Sequence, residues 1–194
     1  MRRKLYLTLF LSLVFSTWAG AQKVAIKTNL LYDATSTINL GLEFALAPKW
    51  TMDISGNYNP WTLPGNRLIR HAMVQPEFRY WFCDRFSRHF IGIHALGGIY
   101  NVGNLPLDLK WLWMDFSPLR EQRFEGWGVG GGIAYGYNLI LGKHWNLEFE
   151  LGLGYIYTRY NVFRCIECGK KLAENVPAHY VGPTKAALSL VYLF

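Results

Sequence analysis

The sequence predicts an all-β fold: an eight-stranded antiparallel up-and-down transmembrane β-barrel. Three observations predict it. Hydropathy alternates with a period of two over nearly the whole chain after residue 22, which sorts side chains onto the two faces of a strand and suits no helix. The alternating segments run about 10–13 residues, near or above the ~9–11 that a tilted strand needs to cross a bilayer and about twice the ~5–6 of ordinary globular strands. The connections between them are alternately long and short, as in barrels with loops at one end and turns at the other. Composition agrees. The 194 residues suit one domain, and with 51% hydrophobic, 16% aromatic and 17% charged residues the chain is no disordered segment. Three Cys are too few for a disulfide scaffold.

Residues 1–21 read as a secretory signal peptide. Arg2, Arg3 and Lys4 precede the apolar run Leu5 to Phe15, and Ala19-Gly20-Ala21 supplies small residues for cleavage. Loss of three basic residues lowers the formal net charge from +7 to +4, so no nucleic-acid partner is inferred from the high pI. Residues 22–194 form the barrel, with strands expected at 23–33, 37–46, 50–59, 72–82, 89–100, 126–138, 145–158 and 182–194. In the third, Trp50, Met52, Ile54 and Tyr58 share one face, and Thr51, Asp53, Ser55 and Asn57 the other. The seventh sets Trp145, Leu147, Phe149, Leu151 and Leu153 against Asn146, Glu148, Glu150 and Gly152. Long connections fall at 60–71, 101–125 and 159–181, and short ones at 47–49, 83–88 and 139–144, which places the short turns in the periplasm; on the long-loop side only the first connection, 34–36, is short.

Aromatic residues gather toward both strand ends. Trp50, Tyr80, Trp81, Phe82, Phe90, Tyr135, Tyr137, Trp145 and Phe194 lie on the turn side, and Tyr32, Tyr58, Trp61, Tyr100, Trp127, Tyr155 and Tyr157 toward the loops. Two belts at the water–lipid boundaries are expected from this placement. The last strand carries Leu188, Leu190, Tyr192 and Phe194 on one face, and its terminal aromatic resembles the signal by which outer-membrane barrels are recognised for insertion. Ser189 stands where Gly is common in that signal.

The stretches Ile26-Lys-Thr-Asn-Leu-Leu-Tyr-Asp-Ala34, Ile38-Asn-Leu-Gly-Leu-Glu-Phe44 and Trp50-Thr-Met-Asp-Ile-Ser-Gly-Asn-Tyr-Asn-Pro-Trp61 resemble the opening of the domain-of-unknown-function 3575 family, small outer-membrane barrels from Bacteroidota. The resemblance covers essentially the whole mature chain. It implies residence in the cell outer membrane. Because members are often encoded near surface fimbria genes, it also implies a surface-assembly context, with surface or fimbrial assembly proteins as partners beside outer-membrane lipids. It carries over no catalytic residue and no cofactor.

The face opposite the apolar one bears Lys27, Glu43, Asp53, Glu77, Arg79, His94, Glu148, Glu150 and Lys185. Eight strands enclose a space just wide enough for side chains, so these residues are expected to fill the lumen as a structural charge network rather than line a pore. A gated route for protons or small ions is the functional alternative. Gly128, Gly130, Gly132 and Gly136 are expected to make room for long charged side chains. The run Gly126-x-Gly128-x-x-Gly131 matches a dinucleotide fingerprint only formally, because its glycines begin a strand instead of linking a strand to a helix.

The apolar connection Leu105 to Phe116 suits a contact with a partner protein or lipid through Leu109, Trp111, Leu112, Trp113 and Phe116, Trp being a frequent anchor of such contacts. Folding over the barrel mouth is its plainer use. Cys165 and Cys168 in the last long loop form a candidate disulfide in an exported chain; a metal site would need a second ligand pair, and His179 is the only nearby candidate. A non-enzymatic structural or surface-assembly role is therefore expected. The alternatives are a lipid-modifying outer-membrane enzyme and a soluble ligand-binding barrel. The first would draw a triad from Ser117, His71 or His179, and Asp115. No His is followed two residues later by Ser, as a deacylase of that kind would have it, and the charged interior does not suit a bound fatty chain.

Overall fold

A computed structural model describes residues 23–106, 110–111, 114–115, 117–164 and 169–194. The expected signal peptide at 1–21, the contact residues Leu109, Leu112, Trp113 and Phe116, and the pair Cys165 and Cys168 lie outside the described residues, and only the backbone of Trp111 and Asp115 falls within them. The elements are β1 (Val24–Asn29), α1 (Leu30–Ala34), β2 (Ile38–Ala47), β3 (Trp50–Asn59), β4 (Thr62–Leu63), β5 (Arg67–Trp81), β6 (Arg88–Gly103), β7 (Lys110–Trp111), β8 (Met114–Asp115), a 3-10 turn (Ser117–Arg120), β9 (Arg123–Ile140), β10 (Trp145–Phe163) and β11 (Lys171–Leu193).

All pairings are antiparallel. Starting from β1 the order is β2, β3, β5, β6, β9, β10, β11 and back to β1, a ring of eight closed by the β3–β5 pairing (Trp50↔Tyr80 to Asn59↔His71). β4 pairs only with β5, and β7 with β8 in a separate two-stranded piece. No helix of the described residues is long and apolar enough to cross a membrane.

The ring is not evenly disposed about one axis. β1 has 6 residues and β2 and β3 have 10 each, whereas β9, β10 and β11 have 18, 19 and 23. The expected loops 60–71 and 159–181 are thus largely strand, while in 101–125 the long strands reach only to Gly103 and resume at Arg123. The β10–β11 ladder continues as far as Phe163↔Lys171, through register shifts at Tyr160/Val162 and Val162/Phe163. Backbone pairing persists there after the apolar alternation has ended. The first expected strand is shortened instead: residues 30–33 are helical, because Leu30, Leu31 and Tyr32 break the alternation and the Asn29 side chain caps the turn by accepting from Leu31 N.

Glycines bend the tall wall, though not as the sequence suggested. A Cβ at Gly130 or Gly132 would run into the backbone of β10 at Tyr155 or Leu153, and one at Gly154 into Gly131. These positions let β9 and β10 coil sharply against each other. Gly136 clears the Phe90 ring. Room for charged side chains comes from Gly92 beneath the Glu77 carboxylate, Gly152 beside His94 and Lys185, and Gly41 beside Lys27 and Asp53.

The partition of side chains is inverted relative to a water-soluble fold. Among the described residues, buried positions are held by seventeen polar or charged residues and nine apolar ones, while Ile93 and Ile133 are 69% exposed and Leu151 72%. Parity explains the sorting: even positions of β6 from Phe90 onward, of β9 as far as Asn138 and of β10 face inward, and odd ones outward.

Candidate functional site

The interior residues come together as one network. Register sets Glu43 beside Asp53 and Asp53 beside Glu77, so three carboxylates line up across β2, β3 and β5. Like charges directly opposite each other repel. Cations reaching over the row resolve the conflict.

Arg79, two residues along β5 from Glu77, is the hub. Its Nε donates to Glu77 Oε1 at 2.6 Å, its Nη1 to Glu43 Oε2 at 2.9 Å and Glu148 Oε1 at 3.0 Å, and its Nη2 to Glu150 Oε2 at 2.7 Å, with Asp53 Oδ2 at 3.6 Å. A guanidinium spreads its charge over a planar fork of donors, which allows this multiple engagement where a point-charge ammonium would not. Lys27 Nζ pairs with Glu43, with Asp53 Oδ1 at 3.3 Å and with Glu148 Oε1 at 3.1 Å. Lys185 Nζ reaches Glu77 Oε2 at 2.7 Å, Glu150 Oε1 at 3.1 Å and Asp53 Oδ2 at 3.8 Å.

Five carboxyl groups share three cations, and neutral groups supplement them. Thr51 Oγ1 donates to Glu43, and Asn138 Nδ2 to Glu148 Oε2 at 3.4 Å. His94 bonds Thr184 Oγ1 through Nε2 at 2.8 Å and holds Nδ1 4.0 Å from Glu77 Oε2. Every strand of the ring contributes: Lys27 from β1, Glu43 from β2, Asp53 from β3, Glu77 and Arg79 from β5, His94 from β6, Asn138 from β9, Glu148 and Glu150 from β10, and Lys185 from β11.

An apolar layer seals the turn end below the charges. Trp81, Phe86, Phe90, Val191, Leu193 and Ala25 form a buried cluster, with Trp81 and Phe90 ring centroids 4.7 Å apart. Phe86 belongs to the turn between β5 and β6, whose backbone at φ 59° folds it inward, and its carbonyl accepts from Asn146 Nδ2 at 3.0 Å. The Arg79 guanidinium lies 4.4 Å over the Phe90 ring. Trp81 and Phe90 therefore correct the expected turn-side belt, because both point into the ring. On the loop side, Tyr100 turns its hydroxyl to Thr158 Oγ1 at 2.6 Å, and Tyr32 borders the interior, so neither joins the exposed aromatics there. Above the charges is a small cavity of about 30 Å³ bordered by Asp53, Asn57, Gln75 and Asn39, with room for a water or two.

The family described as a protein of unknown function, DUF3575, matches residues 7–194, nearly the whole chain. The chain belongs to the DUF3575 family. No curated protein and no solved structure matches it.

In this DUF3575 chain, the eight expected interior residues Lys27, Glu43, Asp53, Glu77, Arg79, Glu148, Glu150 and Lys185 are brought into direct contact. Of the residues named for a hydrolytic triad, the two histidines bond locally: His71 Nδ1 faces Ile69 O at 2.9 Å, and His179 Nδ1 meets the Tyr155 hydroxyl. Among the described residues, no group of three or more His, Cys, Asp or Glu side chains is arranged to hold a metal ion. The sequence reading missed the apolar seal. Parity could have found it, since Trp81 falls in step with Arg79 and Phe90 with His94.

Proposed function

We propose that this protein is an outer-membrane β-barrel acting as a non-enzymatic structural or surface-assembly component. The inverted partition carries the reading. A closed eight-strand ring with isoleucine and leucine outside and paired charges inside is stable where the surroundings are hydrocarbon, because ring closure leaves no unpaired strand edge along the span. The short turns then face the periplasm and the long hairpins the cell exterior. The interlocked charges favour a filled scaffold over a conduit. Partner contact falls to the apolar segment with Leu109, Trp111, Leu112, Trp113 and Phe116.

Spin labels test the placement. Labels replacing Ile93, Ile133 and Leu151 in reconstituted protein are expected to be quenched by oxygen and shielded from water-soluble relaxants, while one at Lys143 shows the reverse. Water exposure at Leu151 would end the membrane reading. The role is tested on intact cells by cross-linking. A surface protein captured by the native chain is expected to be lost with Trp111→Ala/Trp113→Ala, with lipid A mass spectra identical whether or not the chain is present. Altered lipid A would favour an enzyme instead.

A further inference from the structure

The charges divide unevenly over the molecule. The strand interior holds five acidic residues against three basic ones. Among the described side chains, the turn end holds the basic groups of Lys23, Lys49, Arg85, Arg88 and Lys143 against the acidic group of Asp84. These residues come from four separate segments, and the fold brings them to one rim. Arg85 N donates to Pro48 O at 3.1 Å, which holds the β5–β6 turn against the β2–β3 turn, and Lys49 Nζ reaches across to Phe82 O at 3.3 Å.

Next to this rim the outer face is concave. A groove of about 460 Å³ crosses β3, β5, β6, β9 and β10, lined almost wholly by apolar groups including Trp50, Phe78, Tyr80, Ile93, Ile133 and Leu151. Its volume lies within the ~300–1,000 Å³ usual for ligand sites. The rim lies at the groove's turn-side end, where Arg88, at φ 60° and exposed beside the exposed His89, stands outside the in-and-out alternation of β6. Trp50, stacked on Phe78 at 4.9 Å and tilted on Tyr80 at 4.8 Å, follows Lys49 in the chain. On the far wall the Tyr135 hydroxyl bonds His89 Nδ1 at 2.6 Å, and His89 follows Arg88.

We infer that this is a binding site for an anionic phospholipid, with an acyl chain in the groove and the phosphate between Lys49 and Arg88. Charge complementarity selects the occupant. A zwitterionic headgroup would gain little from a rim of five basic side chains and one acidic side chain, whereas a net-negative headgroup gains from each cation it nears. An acidic protein docked on the rim would leave the groove unfilled. The inference rests on the membrane reading and goes beyond it by naming a lipid class and a leaflet, the one on the turn side.

Native mass spectrometry of the full chain tests it, from micelles holding equal phosphatidylglycerol and phosphatidylethanolamine with matched acyl chains. Retention of phosphatidylglycerol is expected at about fivefold or more over phosphatidylethanolamine. The preference is expected to vanish in Lys49→Glu/Arg88→Glu and in the milder Lys49→Gln/Arg88→Gln. Both lipids are expected to be lost in Ile133→Trp, which fills the groove. Arg159→Glu, at the opposite end, is expected to keep the preference. Equal retention of the two lipids by the native chain, or a preference that survives charge reversal, overturns the site. Flotation with liposomes separates the two readings: a chain that floats without lipid preference loses only this site, and one that fails to float loses the membrane reading as well.

Discussion

Arg79→Ala is expected to cost the folded protein about 3–5 kcal/mol, the usual penalty for stranding buried charges by removing their partner. Urea unfolding in micelles, followed by tryptophan fluorescence, measures it. The magnitude follows from the contacts: one guanidinium lies within 3.0 Å of Glu43, Glu77, Glu148 and Glu150. Without it, three carboxylates in register on β2, β3 and β5 face each other with only the ammonium groups of Lys27 and Lys185 between them. Arg79→Lys is expected to recover only part of the loss, since one ammonium cannot reach partners on opposite sides. Glu150→Gln in the Arg79→Ala background is expected to restore stability by removing one uncompensated charge. A loss below about 1 kcal/mol in Arg79→Ala would mean that the interior carboxylates are solvated rather than locked.

The network was legible because alternation leaves charged residues few places to go. On a strand whose odd positions are Phe149, Leu151 and Leu153, the even positions Glu148 and Glu150 must share the other side. The same parity puts Trp81 with Arg79 and Phe90 with His94. Their place near strand ends suggested a boundary belt, and that cue conflicted with parity. Parity prevailed in the fold. Strand ends were harder to read on the loop side, where β10 and β11 carry Arg159, Asn161, Glu174 and His179 and no apolar face marks the strand; the backbone ladder alone extends it. The roles of the glycines lay beyond the sequence altogether, because whether a Cβ meets a carboxylate or a neighbouring backbone depends on how tightly two strands coil. The basic rim was hidden for a related reason. Lys49, Arg85 and Lys143 are isolated residues in three short turns, and closure of the ring is what gathers them.

Trp81→Ala is expected to destabilise by about 3–5 kcal/mol, the range for deleting a large buried aromatic, while Phe82→Ala costs far less. Trp81 ends β5 and Phe82 follows it, and the two aromatic side chains lie on opposite faces: Trp81 is 0% exposed and Phe82 49%. Trp81 packs on Phe90 at 4.7 Å and Phe86 at 6.0 Å, and its Nε1 donates to Thr51 Oγ1 at 2.9 Å, the same hydroxyl that donates to Glu43. The indole thus joins the apolar seal to the charge layer above it. Removing it admits water to the turn side of Arg79, where screening weakens each ion pair. The consequences of Trp81→Ala and Arg79→Ala therefore overlap. Their double variant is expected to fall short of the summed losses by about 1 kcal/mol or more, as for residues sharing one network. Strict additivity would show that the seal and the charges stabilise the ring independently, and equal losses in Trp81→Ala and Phe82→Ala would place Trp81 outside the interior.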